Sequence, residues 1–403
     1  IARRQRQMCI RDSYMVIYII IFFYLVVLAY VYDYRKNSIG KIYFIYLTLL
    51  IFILFSGLRY RVGIDTSRYE IFFNECPTLF TLKSGIISCN INEQPLWLLF
   101  NIICKTISDD FVILQLIHAF IINYFICRFI RRLTSYIFLA FLFYYCFQYV
   151  NFNFEIMRES LCVAFFLTAV ESYYRKHNLI SFVLYGILMV FIHWFSFIIL
   201  LLTIFVFIIP PRKFCFIVLL LGGVSLVFFS QNEIFLYLQF LSEVLPFSML
   251  ERVNSYFFSE SYGFIEVSIL GGLFIFIFQI LYPLYLSLKY RSINRIISNF
   301  LLLYALIVII RLHILIAMRL VNYLDIIFIV AICNYIPMIK LQKNLLKIYI
   351  YACILCHLYI SIKGFYTPSV LESRPWIKYN CLYIPYKSYI DKEFVVEREF
   401  LLE

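Results

Sequence analysis

From Tyr14 to Ile362 the chain is a succession of apolar runs, each closed by a short cluster of Lys, Arg, Asn or Gly. The runs are long enough to cross about 30 Å of hydrocarbon, for which about 20 residues of helix are needed. They lack the polar and apolar alternation of a barrel strand. A backbone in lipid must satisfy its own hydrogen bonds, so runs of this kind predict helices. The expected spans are 14–32, 41–57, 111–130, 136–150, 156–174, 179–193, 195–210, 214–229, 264–288, 298–316, 319–338 and 345–362. The pattern predicts an all-α polytopic transmembrane bundle of about twelve spans, with a range of about ten to thirteen.

Composition agrees. Hydrophobic residues make up 64% of the chain, aromatics 21% and charged residues only 14%, whereas the apolar share of a soluble domain is nearer half. No stretch of comparable length is left for a soluble domain. The expected organisation is an integral membrane domain over 15–363, with external loops at 58–110 and 230–263, and a polar tail at 364–403. Residues 1–14 hold four arginines and begin without methionine. They read as a non-native or disordered leader, with the natural chain expected to start at Met15. The formal charge of +12 is then an overstatement, and the remainder suits a basic cytoplasmic face better than nucleic-acid binding.

Short loops rich in Lys and Arg face the cytoplasm. Alternate threading places Arg35/Lys36, Arg131/Arg132, Arg175/Lys176, Arg212/Lys213, Lys289/Arg291/Arg295 and Lys340/Lys343 on one side. The threading requires that Leu96–Ile107, short and broken by Asn101 and Lys105, be interfacial or re-entrant. Arg59, Arg61, Arg68, Arg158, Arg252 and Arg319 then fall on or near the outer face, against the general bias. Arginine forks onto phosphate and diphosphate, so the set points to an anionic ligand at the membrane surface. The plainer reading is that each arginine snorkels to head groups or pairs with Asp65, Glu70 or Glu159.

The run Phe55-Ser56-Gly57-Leu58-Arg59-Tyr60-Arg61-Val62-Gly63-Ile64-Asp65, followed by Tyr69, resembles the signature of EpsG-family proteins. These are Wzy-like polymerases of bacterial exopolysaccharide, capsule and O-antigen. Glu93-Gln94-Pro95-Leu96-Trp97 is similar to a family acid and proline element, with a glutamine inserted between the two. Asn153-Phe154-Glu155-Ile156-Met157-Arg158-Glu159, Ile192-His193-Trp194-Phe195-Ser196 and Met318-Arg319-Leu320-Val321-Asn322-Tyr323 resemble later elements in the same order.

The resemblance implies a GT-C-like helical architecture and glycosyl transfer on the outer face of the bacterial inner membrane. A glycan on polyprenyl diphosphate would pass to another lipid-linked repeat unit, releasing the diphosphate carrier. The substrates implied are polyprenyl-diphosphate-linked glycans among membrane lipid, with a flippase and a chain-length regulator as further partners and no nucleic acid. The chemistry needs cations at the leaving group, where arginines replace a metal, and a base at the attacking hydroxyl. A metal-independent glycosyltransferase without a cofactor is therefore expected.

Asp65, Arg158 and His193 are the catalytic candidates. Asp65 follows Gly63 and serves as base or sugar-orienting carboxylate, or else as an N-cap or salt-bridge partner. Glu155, Arg158 and Glu159 stand at i, i+3 and i+4 and are expected to share one helix face, as a site or as a structural ion cluster. His193 ends an apolar run, as a catalyst or as an interfacial residue. Substrate-binding candidates are Arg59, Arg61, Tyr69, Glu93, Glu159, Arg252, Tyr256, Arg319 and Tyr323. Glu93 binds sugar hydroxyls or caps the helix that begins at Pro95.

Cys353-Ile354-Leu355-Cys356-His357 matches the haem attachment spacing, but it lies inside an apolar helix with no room for a haem. Cys76 and Cys89 share the first loop, and the spacing neither requires nor excludes a pairing. No zinc pattern, phosphate loop or nucleophile elbow is present. Two other classes stay open. A single-sugar transferase of the GT-C type is disfavoured by the absence of an acid beside Asp65, while an O-antigen ligase differs from a polymerase in its acceptor and stays open. A transporter of the lipid-linked unit is disfavoured by charges that gather at one face.

Overall fold

The protein is described by a computed structural model over residues 16–83, 94–228, 273–312, 315–339, 342–366, 370–371 and 374–390, with 392, 393, 395, 396, 398 and 399. The leader 1–14, Glu93, Cys89 and the loop 230–263, including Arg252 and Tyr256, lie outside these residues. Among the described residues the chain is helical, apart from a short antiparallel pair, β1 (Val370–Leu371) and β2 (Arg374–Lys378). Two units are formed: Ile1–Phe197 with Leu358–Glu403, and Ile198–His357.

The first unit contains α1 (Val16–Leu28), α2 (Lys41–Gly57), α3 (Thr66–Glu75), α4 (Leu79–Lys83), α5 (Pro95–Ile107), α6 (Phe111–Leu133), α7 (Ile137–Tyr144), α8 (Met157–Lys176) and α9 (Leu179–Ile192). Helix α1 runs on through a π-helical turn, Ala29–Tyr34. Helix α6 is central and packs on α2, α5 and α8, while α8 packs on α9 and α1 on α7. Gly57 allows a close crossing of α2 and α6. A Cβ there would lie 2.6 Å from Leu116 Cδ2 and 3.0 Å from its Cα, so only glycine lets the end of α2 meet α6 at this distance.

Helix α5 is 13 residues long, about 20 Å at 1.5 Å per residue, and falls short of a span. Pro95 stands in its first turn, where the missing N–H costs nothing. Buried Asn101 Nδ2 donates back to the Trp97 carbonyl at 2.8 Å.

The run expected as two spans, 136–150 and 156–174, is joined by irregular helix. Helix α7 continues through π turns at Tyr145–Tyr149 and Asn151–Glu155, and the chain breaks direction at Ile156, with φ −92° and ψ 55°. A buried amide network holds this irregular stretch. Asn123 Nδ2 donates to Asn153 Oδ1 at 2.8 Å, Tyr144 Oη donates to Asn123 Oδ1 at 3.0 Å, and Asn153 Nδ2 donates to Tyr144 Oη at 3.0 Å.

Ionic groups gather at both ends of this unit. Glu171 is buried between Arg128 and Arg132, and Asp33 takes Lys41 and the Leu139 amide. The opposite end carries the Gly57–Asp65 loop, the start of α8 and the carboxy-terminal segment.

The second unit contains the bulk of α10 (Ser196–Ile208), then α11 (Pro211–Phe228), α12 (Leu281–Tyr290), α13 (Arg295–Arg311), α14 (Met318–Ile339) and the first part of α15 (Asn344–Tyr366). Helix α13 is its centre and packs on α11, α12 and α14. Asn294 caps α13 by accepting from Ile297 N at 3.1 Å. Arg295 Nη2 donates to the carbonyls of Phe207 and Ile208, a cation at the negative end of α10. Cys353, Cys356 and His357 sit within α15, where His357 is buried against Phe328 with ring centroids 5.1 Å apart.

Four helices among the described residues, Val16–Tyr34, Phe111–Leu133, Leu273–Tyr290 and Met318–Ile339, are long and apolar enough to cross a membrane. Shorter apolar helices at Lys41–Gly57, Ile137–Tyr149, Leu179–Ile192, Ser196–Ile208 and Asn344–Tyr359 accompany them. The protein is a membrane-embedded helical protein.

Candidate functional site

The loop that leaves α2 is held by the carboxy-terminal segment, much as an edge strand holds its neighbour. Tyr389 N donates to the Leu58 carbonyl at 2.6 Å, Tyr60 N to the Lys387 carbonyl at 2.8 Å, and Gly63 N to the Leu382 carbonyl at 3.1 Å. Arg59 and Ser388 form an antiparallel bridge. Tyr386 Oη donates to the Phe55 carbonyl at 2.8 Å, and Tyr389 Oη donates to Asp110 Oδ1 at 2.7 Å. The segment is itself braced by Arg398, 1% exposed, whose guanidinium donates to the Cys381 and Pro385 carbonyls. Residues 364–403, expected as a tail, thus include a segment built into the same unit as the loop.

Within the loop, Arg61 has φ 50° and Gly63 φ 110°. A Cβ on Gly63 would lie 2.9 Å from the Phe154 carbonyl and 3.0 Å from Glu155 Oε1, so the position demands glycine on both conformation and space. The turn aims two successive amides at one carboxylate. Ile64 N lies 3.0 Å from both Glu155 oxygens and Asp65 N 3.2 Å from Oε2. The Tyr383 hydroxyl, from the carboxy-terminal segment, adds a third donor. Burial raises the Glu155 carboxyl above its ordinary value and the neighbouring Asp65 charge adds to this, against the pull of these hydrogen bonds.

Asp65 stands at the N-cap of α3, but its side chain makes no capping bond. Its carboxylate is 37% exposed and lies 3.8 Å from Arg68 Nη1, a weak pair because Arg68 is 82% exposed. One turn on, Tyr69 meets Trp97 edge-on at 5.6 Å. Burial raises its hydroxyl, opposed by the Arg158 guanidinium and backbone N–H beside it. Arg158 Nη1 donates to Gln94 Oε1 at 2.9 Å. Asp65, Tyr69, Trp97, Gln94 and Arg158 therefore come together around the start of α8, with Glu155 behind them.

The other sequence candidates are placed as follows. Arg59 is 1% exposed and turned inward: Nη1 donates to the Ser56 carbonyl at 2.6 Å, and the guanidinium lies 5.0 Å from the Phe154 ring. Burial lowers its value to about 10, which leaves it protonated at neutral pH. Arg61 closes on Glu70, 3.1 Å away, and on Glu399.

Glu155 does not share a helix face with Arg158 and Glu159, because Ile156 breaks the helix between them. Glu159 is buried in the first turn of α8. His193 is the C-cap of α9, and its carbonyl accepts from Ser196 N and Oγ. Arg319 and Tyr323 stand one turn apart on α14 in the second unit, Arg319 half-buried and Tyr323 buried. Cys76 is buried.

Gln94 and Tyr383 were missed as site residues. Gln94 reads along the chain as an insertion between an acid and a proline, and Tyr383 is one of 35 tyrosines. Glu155 was visible as an acid near Arg158, but the chain offered no sign that its partners are amides 90 residues away. Among the described residues no cluster of His, Cys, Asp or Glu could hold a metal ion.

The chain matches the family model described as the EpsG family over residues 42–388. No curated protein and no solved structure matches it.

Proposed function

Because the chain belongs to the EpsG family, whose members are exopolysaccharide-polymerase-like membrane proteins, we propose that it polymerises polyprenyl-diphosphate-linked repeat units. The reaction transfers a growing glycan from its diphosphate carrier to a hydroxyl of the next unit, on the outward face of the bacterial inner membrane. The architecture in this reading is GT-C-like with about twelve spans. The product is an exopolysaccharide, a capsule or an O-antigen.

The observation that carries this reading is the placement of a partly exposed carboxylate, Asp65, and a partly buried guanidinium, Arg158, both beside Tyr69 at one end of the first unit. The two face different needs of one reaction. Asp65 takes the proton from the attacking hydroxyl. Arg158, oriented by Gln94, stabilises the departing diphosphate, the role for which a planar cation suits a phosphoryl oxygen. Tyr69 and Trp97 form an aromatic floor beside them. Arg68 adds an exposed cation at the loop, Arg61 is held between Glu70 and Glu399 as a proposed glycan contact, and buried Arg59 braces the loop from within. His193, Glu93 and Glu159 are proposed to contribute to glycan or carrier contacts in the first unit, and Arg252, Tyr256, Arg319 and Tyr323 to such contacts in the second.

The test is polymer length in a polysaccharide-producing host that depends on this protein. Asp65→Asn and Arg158→Ala are expected to lower chain extension by about 10²–10⁴-fold, the range for removing an acid–base or charge-stabilising group. Long polymer from either variant, at wild-type abundance in the membrane, would sink the reading. Accumulated single repeat units support polymerisation. Normal polymer that fails to reach a different final acceptor would instead identify a ligase.

A further inference from the structure

Glu155 is the last residue of the π turn before the break at Ile156, and both of its oxygens accept hydrogen bonds from backbone amides. With Ile64 N, Asp65 N and the Tyr383 hydroxyl donating to it, the carboxylate has little capacity left to take a substrate proton. What it holds is informative. One amide belongs to Asp65 itself, so the Glu155 contact fixes the backbone from which the Asp65 carboxylate projects. Three residues along the chain, past the break, Arg158 emerges on α8.

Tyr383 is equally constrained. Its carbonyl accepts from Tyr18 Oη at 3.1 Å, and the preceding carbonyl, Leu382, accepts from Gly63 N at 3.1 Å. The carboxy-terminal segment therefore holds the loop at Gly63, directly before the amides that Glu155 takes, and holds Glu155 itself through the Tyr383 hydroxyl.

We propose that Tyr383 and Glu155 are positioning residues for the glycosyl transfer: the carboxy-terminal segment reaches through the Tyr383 hydroxyl and the Glu155 carboxylate to set Asp65 and Arg158. The proposal rests on the reading of Asp65 and Arg158 as the reacting pair. It makes the end of the chain part of the site and not an appendage.

The relay requires Glu155 to be ionised, since a protonated carboxyl gives up acceptor capacity to a proton of its own. The titratable groups facing it are Asp65 and Tyr69 from the α3 region, Arg59 from the loop and Tyr383 from the carboxy-terminal segment. Burial and Asp65 raise Glu155, so as pH falls it takes up its proton earlier than an ordinary glutamate would. Activity is then lost on the acid side at that point. Removing the Tyr383 hydroxyl withdraws a donor that favours the ionised form and moves the acid limb to higher pH.

The experiment uses the full chain in native-lipid vesicles with lipid-linked repeat units from the producing host. Hydrogen exchange of the 58–70 segment and the pH profile of chain extension are measured in parallel. Tyr383→Phe is expected to speed exchange in 58–70 at least about threefold. Its kcat should fall about tenfold with KM within about twofold, the loss that one hydrogen bond supports, and its acid limb should move up. Glu155→Asp should retain part of the exchange protection that Glu155→Ala loses.

Unchanged exchange and an unchanged acid limb in Tyr383→Phe would overturn the relay. Faster exchange with wild-type kcat would overturn the positioning role. Wild-type activity in Asp65→Asn counts instead against the polymerase site itself, while the exchange measurement still reports on the Tyr383 and Glu155 contact.

Discussion

Arg158 donates to Gln94 Oε1 at 2.9 Å across 64 residues of chain. The bond joins the start of α8 to the residue that precedes Pro95, and so ties the short helix α5 to the cationic side of the site. An arginine meant to receive a phosphate oxygen needs a fixed direction and a partner that does not cancel its charge. A neutral amide provides both, where a carboxylate would neutralise it.

Gln94→Ala is accordingly expected to cost about 1.5–3 kcal/mol of transition-state stabilisation, or about 10- to 150-fold in chain extension, the range for a hydrogen bond to a charged group. Gln94→Glu should cost at least as much, because a carboxylate competes with the diphosphate for Arg158. Polymer-length profiles at matched expression read both variants, and a fully active Gln94→Glu would contradict this role.

Gly63→Ala should fail for a steric reason. The position has φ 110° and only 2.9–3.0 Å from the ideal Cβ to the Phe154 carbonyl, Thr66 Oγ1 and Glu155 Oε1. The expected cost is about 1–3 kcal/mol, read as a lower melting temperature in detergent and as loss of polymer. By contrast, Ile64→Ala at the exposed neighbouring position should change stability by no more than about 0.5 kcal/mol.

Arg59 is predicted to stabilise the fold more than it binds ligand. Truncation to alanine empties a buried site beside Phe154 and removes the hydrogen bond to the Ser56 carbonyl, at about 2–5 kcal/mol. Its lowered value of about 10 means that folded Arg59 sheds its proton only on the alkaline side. Between about pH 10 and its ordinary value the folded state binds fewer protons than the unfolded one, so stability from this group rises with pH there. From pH 5 to 8 Arg59 stays protonated while Glu155 beside it gains charge as pH rises, so the wild-type to Arg59→Ala stability gap should not narrow over that range. A gap that narrows with rising pH in melting experiments would contradict the assignment.

The proposed orientation has its own check. Reporter fusions after Asn37 and after Thr66 should report opposite sides of the membrane, the first cytoplasmic and the second external, because α2 lies between them. The same side for both would remove α2 as a span and the outward site with it.

Fold class was legible along the chain because desolvation in lipid acts on local composition. Runs of Ile, Leu and Phe predict helices whatever they pack against, and Lys41–Gly57, Phe111–Leu133 and Met318–Ile339 follow them closely. The irregular stretch from Tyr145 to Ile156 was not legible. Its π turns are held by Asn123, 30 residues away on α6, together with Tyr144 at the end of α7, and periodicity alone predicts a plain helix face shared by Glu155, Arg158 and Glu159.

By itself the sequence determined that the chain is a helical membrane protein of the EpsG family and that arginines and Asp65 crowd the exit of one helix. Residue type and order carry that information, since apolar length and motif spacing are local quantities. Only the tertiary structure decided which charges face one another: Arg59 turned inward, Arg61 paired to Glu70 and Glu399, Gln94 set against Arg158, and Glu155 joined to Asp65 and Tyr383. Those pairings bridge from 9 to 338 residues of chain. They depend on where helices cross and on which buried polar groups must find a partner, and no stretch of sequence states that alone.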